Sequence, residues 1–200
     1  MQSIKVFFGV IGSGKTHKRD ICEQESTVQV KLLDFKDPLI DMCMAISKST
    51  LPYDKFKARV IGVDSEYESH KLKNLYPGLL TGRELLQRLG TDAIRKHSPE
   101  YWVDSFDRSA ASFFCLNENG LLMCADMRFP NEFKCIQNFS KVNDVLVEYI
   151  FCDYKSPVYD DTNEHPSEKF AQTFKQTYPN YEDGDIISRH ALKTIAGQLT

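Results

Sequence analysis

The stretch IKVFFGVIGSGKTHKRD, Ile4–Asp20, passes from an apolar run through a loop with three glycines, Gly9, Gly12 and Gly14, into a charged segment. IKVFF is β-branched and aromatic, which suits a buried parallel strand, and KTHKRDICEQ continues with helix-compatible residues. Gly9, Gly14, Lys15 and Thr16 complete the pattern Gly-x-x-x-x-Gly-Lys-Ser/Thr at the junction. Backbone amides from Val10 to Lys15, Gly12 and Ser13 among them, can wrap phosphates there. The new helix offers unsatisfied N–H groups and its positive dipole end. Lys15 can reach the outer phosphates and Thr16 can ligate magnesium, with His17 next along the first turn. A turn that merely joined strand to helix would have no use for Lys-Thr at this spacing. The loop therefore predicts ATP and Mg2+ as ligands.

Working outward, strand and helix patterns alternate. TVQVKLLDF reads as a second strand, followed by a helix with Pro38 in its first turn and Leu39, Met42, Cys43 and Ile46 as its apolar face. Thr81 and Glu84 form a capping-box pattern that opens a helix over TGRELLQRLGTDAIRKH, where Arg83 and Gln87 share one face. Ser98 and Pro99 open another, which runs to a stop at Gly120. LLMCAD, DVLVEYIFCD and DIISR read as further strands, with NEFKCIQNFSK and HALKTIAGQL as helices. This order predicts one domain over residues 1–200: a three-layer α/β/α fold around a parallel central sheet. Residues 49–80 are polar, weakly periodic and bounded by prolines, and read as a flexible insertion or lid.

The bulk composition limits the partners. Twenty-five Lys and Arg against 28 Asp and Glu give a net charge of -3, so no broad cationic face is expected for a nucleic acid polymer. The six cysteines are scattered without a Cys-x-x-Cys pair, and read as reduced, mostly buried thiols of a cytoplasmic protein. No stretch approaches the roughly 20 apolar residues of a membrane span, and the start lacks the features of a signal peptide.

The loop alone does not say what receives the phosphate. No Asn-Lys-x-Asp motif of a GTPase occurs, whereas Arg83, Arg88, Arg95 and Arg128 stand in apolar or helical settings. Transfer from one phosphate to another brings several negative charges together and needs such arginines. Asp126, closing the strand LLMCAD, is placed to hold magnesium directly or through water. The competing reading is a turn or cap residue, and Asp34 is its rival for the metal.

GRELLQRLGTDAIRKHSPEYWVDSF, ADMRFPNE and HPSEK, together with the loop, resemble the deoxynucleoside monophosphate kinases of tailed bacteriophages and their relatives among the P-loop kinases. The resemblance implies a P-loop kinase fold with a helical acceptor-binding insertion and a lid around 153–183. It implies ATP-dependent transfer to a deoxynucleoside monophosphate, giving the diphosphate and ADP, for viral DNA precursor synthesis in the host cytoplasm. Arg83, Gln87, Asp92 and Arg95 would face the acceptor nucleotide. Lys15, Asp126 and Arg128 would sit at the reaction centre with Glu132 in support, and Lys155, His165 and Glu168 would belong to the lid. The partners are small nucleotides, and a homodimer is left open. The chain departs from the family at Thr16-His17, where relatives often read Asp-Thr, and at Ile40, where they carry Lys. Lys155 stands near an expected arginine, and Ser188-Arg189-His190 replaces an Asn-x-Gly near the adenine pocket. A phosphomevalonate-like kinase and a non-catalytic nucleotide-binding module are the competing readings.

Overall fold

The computed structural model describes residues 1–47, 49–61, 86, 88–154 and 166–199. Where the sequence suggested one unit, the chain divides into two compact units, Met1–Phe35 with Val103–Thr200, and Lys36–Trp102. In chain order the described elements are β1 (Ser3–Phe8), α1 (Lys15–Gln24), β2 (Val30–Leu32), α2 (Asp37–Ser47) and α3 (Tyr53–Ile61). A π-helical segment follows (Arg88–Arg95), then α4 (Tyr101–Leu116), β3 (Leu121–Cys124), α5 (Pro130–Asn143), β4 (Leu146–Phe151), α6 (Pro166–Thr177), β5 (Ile186–Ile187) and α7 (Arg189–Gln198).

The first unit carries a five-stranded sheet in the order β2-β3-β1-β4-β5. Pairings of β1 with β3 and β4, and of β2 with β3, are parallel as expected. β5 corrects the expectation of an all-parallel sheet: it runs antiparallel to β4, with Tyr149 opposite Ile187. The cause is local. Gly184, at φ 99°, donates its N–H to Phe151 O, and Phe151 N–H donates to Asp185 O. The chain is thereby turned back onto the carboxyl end of β4, and only glycine adopts such a φ without strain.

Strand side chains alternate between two faces. Ile4, Val6, Phe8, Leu122, Cys124, Tyr149 and Phe151 join one core, which α4 to α7 cover with Phe106, Ile136, Phe174 and Leu192. Phe7, Met123 and Ile150 form the other, against which Cys22 of α1 packs. Helices thus lie on both faces of a mostly parallel sheet. Phe8, Phe151 and Phe174 pack in tilted and edge-on pairs with ring centroids 4.9 to 5.5 Å apart. Truncating a buried ring of this kind costs about 3–5 kcal/mol, so α6 is built into the core. The segment expected as a lid therefore contains a core helix, while residues 155–165 lie outside the described residues.

The second unit has its own core of Leu39, Ile40, Cys43, Phe56, Val60 and Trp102. The buried face of α2 is Leu39, Ile40 and Cys43, whereas Ile46 is exposed, which corrects the predicted stripe. Ile40 is fully buried and is a packing residue of this unit. Within the predicted insertion, α3 is an ordered helix that buries Phe56 and Val60. The helix expected to continue from Thr81 through His97 is instead π-helical over Arg88–Arg95. Gly90 packs against Leu39 there: a Cβ would stand 2.6 Å from Leu39 Cδ2, and Gly90 O accepts from Trp102 Nε1 at 3.2 Å. Another correction is that α4 starts at Tyr101, beyond the predicted cap, because Tyr101 N–H donates to Ser98 O and closes a turn first.

All six cysteines are free, with Cys43, Cys124, Cys135 and Cys152 buried, Cys22 half-buried and Cys115 exposed. Burial raises the Cys43 thiol to about 11 and the Cys152 thiol to about 12. Since the thiolate is the reacting species, a thiol reagent at pH 8 should label Cys115 rapidly and Cys22 slowly. The other four should respond only after unfolding; rapid native labelling of Cys152 would contradict this packing. No helix among the described residues is long and apolar enough to cross a membrane.

Candidate functional site

Because β1, β3 and β4 are parallel, the segments that follow them emerge at one edge of the sheet, where the strand order departs to either side of β1. Open α/β sheets bind ligands at such an edge. The Gly9–Lys15 loop follows β1, Asp34 follows β2, Asp126 and Arg128 follow β3, and Tyr154 follows β4.

The loop is tightly seated. A Cβ on Gly9 would lie 2.1 Å from Cys152 O and 2.5 Å from Ser13 Oγ, so no larger residue fits. Gly12 and Gly14 have φ of 75° and 78°, the left-handed conformation that lets successive amides turn inward. Ser13 N–H donates to Val10 O, and Tyr154 N–H donates to Ser13 O, which ties the loop to the end of β4. Lys15 is buried, and its ammonium donates to Gly9 O at 2.8 Å and Val10 O at 2.6 Å, curling over the loop. α1 begins with no side-chain cap and no acidic residue in its first turn, so nothing in its own sequence neutralises its dipole. An anion suits that end. Thr16 and His17 are exposed there, Thr16 with its hydroxyl on the first turn.

Asp34 and Asp126 are both buried and form a reciprocal clasp. Asp34 Oδ1 accepts from Ala125 N–H and Asp126 Oδ1 from Phe35 N–H, each at 2.8 Å, so each carboxylate holds the other strand's end. Asp34 Oδ2 also pairs with Arg19 of α1 at 3.2 Å. Burial disfavours the Arg19 charge, but Asp34 and Asp20 outweigh it and hold its pKa above the ordinary value. Cys124 Sγ, Asp34 and Asp126 lie within 4.8 Å of one another. Burial, with Asp126 adding to it, pushes the Cys124 thiol well up. Its Sγ–H donates to Asp126 Oδ1 at 3.4 Å, and since hard cations take oxygen ligands, the donors that suit one by type are the carboxylates and the Thr16 hydroxyl.

Arg128 is held at both ends. Glu132, at the start of α5, reaches back so that its Oε2 accepts from Arg128 N–H at 2.6 Å and Phe129 N–H at 3.0 Å, a helix cap that shapes the Asp-x-Arg-Phe-Pro turn. At the other end, Arg128 Nη1 donates to Glu168 Oε1 at 2.8 Å. Glu168 Oε2 accepts from Ile11 N–H of the loop, also at 2.8 Å. Lys15, Arg128, Glu132 and Glu168, expected from scattered motifs, thus belong to one linked group around the loop.

Asp92 is exposed and Arg95 half-buried on the π-helical segment of the second unit. Arg83, Gln87, Lys155 and His165 lie outside the described residues. Ser188, which the sequence reading set beside the adenine pocket, caps α7 by accepting from Ala191 N–H. The sequence reading missed Arg19, which has no motif of its own. It also missed Lys18, which pairs with Asp183 at 2.8 Å and so braces the turn before β5 against α1. A basic residue on the buried side of the helix was the available signal.

No protein-family model and no curated protein matches the chain.

Proposed function

We propose that the chain is a P-loop kinase that transfers the γ-phosphoryl group of ATP to a deoxynucleoside monophosphate, giving the diphosphate and ADP. The observation that carries this reading is the delivery of a second cation to a Gly-x-x-x-x-Gly-Lys-Thr loop: Arg128 is ion-paired to Glu168, which also binds the loop at Ile11 N–H. A loop that only bound nucleotide would need Lys15 and its amides. Transfer to a second phosphate calls for an added arginine to offset the charge that gathers between donor and acceptor.

The acceptor phosphate is ionised near neutral pH and needs no general base, so the protein's task is alignment and charge neutralisation. Loop amides and the start of α1 bind the donor phosphates. Lys15 exchanges its loop carbonyls for the outer phosphates, and Arg128 balances the transferring group. Magnesium, with Thr16 as direct ligand and Asp126 acting through water, would supply further charge neutralisation. The family resemblance assigns the acceptor to Arg83, Gln87, Asp92 and Arg95, with Lys155 and His165 over the site.

A coupled ADP-release assay over deoxynucleoside and nucleoside monophosphates, with phosphomevalonate as a control, tests the reading. Turnover with at least one deoxynucleoside monophosphate is expected. Turnover with phosphomevalonate alone would replace the acceptor class, and tight ATP binding with no turnover would mark a binding module.

A further inference from the structure

We propose that Glu168 is a positioning residue for phosphoryl transfer, its carboxylate aiming the Arg128 guanidinium at the phosphate loop. The proposal rests on the kinase reading above. Glu168 is 1% exposed and sits in the first turn of α6. Its helix is anchored by Phe170 and Phe174, both buried in the main core. The base of this carboxylate is therefore rigid, and the helix N-terminus favours its negative charge.

Its two oxygens serve two different elements. Oε2 accepts from Ile11 N–H in the loop after β1, and Oε1 accepts from Arg128 Nη1 in the segment after β3, with Ser167 Oγ at 3.3 Å. An arginine side chain free in solution samples many rotamers, and fixing it costs entropy. Glu132 fixes the Arg128 backbone and Glu168 fixes its head, so that cost is met before substrate arrives. Among the described residues Glu168 is the only hydrogen-bonding partner of the Arg128 side chain. A guanidinium has five donors in a rigid fork. Those not turned to Glu168 can meet a phosphoryl oxygen, and the Arg128 side chain is 29% exposed, which leaves them an approach.

The test compares Glu168→Gln in the wild-type and Arg128→Ala backgrounds, by single-turnover and steady-state transfer with ATP and the best acceptor, alongside thermal melts. Gln keeps the shape and an oxygen for Ile11 N–H but loses the charge that holds Arg128. The expected result is a kcat fall of about 10- to 100-fold, as misplacement of a reacting group produces, with both KM values within about threefold. In the Arg128→Ala background the same change should cost less than about threefold, because a residue acting through Arg128 has nothing left to position. Where the Arg128→Ala rate falls below steady-state detection, it is read from single-turnover transfer at high enzyme concentration. An unchanged or raised kcat in Glu168→Gln, or an equal loss in both backgrounds, overturns the proposal and leaves the kinase reading standing. A wild-type protein that transfers to no acceptor overturns the kinase reading and this proposal with it.

Discussion

Lys15→Ala is expected to lower transfer by about 10³-fold, the upper end of what loss of one transition-state donor costs, or about 4 kcal/mol. The side chain is buried, and its ammonium is held by Gly9 O and Val10 O on the loop itself. Removing it takes away the one cation that the loop carries within its own sequence. Two carbonyl oxygens lose a donor: water can reach the half-buried Val10 O, but Gly9 O is buried, so the stability loss should be about 1–3 kcal/mol. Circular dichroism and a melt check the fold, and the coupled assay measures the rate. A variant that folds and keeps more than a tenth of wild-type kcat would remove Lys15 from the reaction.

The second large effect is on stability. Asp34→Ala should destabilise the first unit by about 3–5 kcal/mol, because it takes the buried partner from a buried cation and leaves it only the half-exposed Asp20. Arg19 and Asp34 are 8% and 3% exposed in their side chains, so water cannot take over the lost pairing. The substitution also strands Ala125 N–H, which donates to Asp34 Oδ1. For a chain of this size the expected fall in Tm is roughly 6–20 °C. Asp34→Asn, which keeps an oxygen for Ala125 but loses the charge, should fall between wild type and Asp34→Ala. A Tm for Asp34→Ala within 2 °C of wild type would mean that the clasp between the ends of β2 and β3 contributes little.

The two effects separate what Asp34 and Asp126 were expected to do. Either was a candidate magnesium ligand or a structural carboxylate. In the fold each holds the backbone of the other's strand end, so the structural part is present whatever else Asp126 does. A similar shift in meaning applies to Glu132 and Ser188, which cap α5 and α7. Glu132 was singled out by the resemblance and Ser188 as a departure from it, and their local jobs follow from helix ends, where free N–H groups need acceptors.

The sequence by itself determined the glycine-rich turn from β1 into α1, since strand, glycines, Lys-Thr and helix all lie within contiguous residues and local geometry dictates the turn. It also determined the alternation that makes an α/β sheet, and it placed the cysteines mostly inside. Only the tertiary structure decided that β5 runs antiparallel, since a two-residue strand carries no directional pattern. The same holds for the π-helical Arg88–Arg95, whose course answers to Leu39 and Trp102. Most of all, the tertiary structure decided that Glu168 joins the loop to Arg128. Those partners are 157 and 40 residues away in sequence. The packing of Phe170 and Phe174, which no local pattern encodes, brings that carboxylate to the loop.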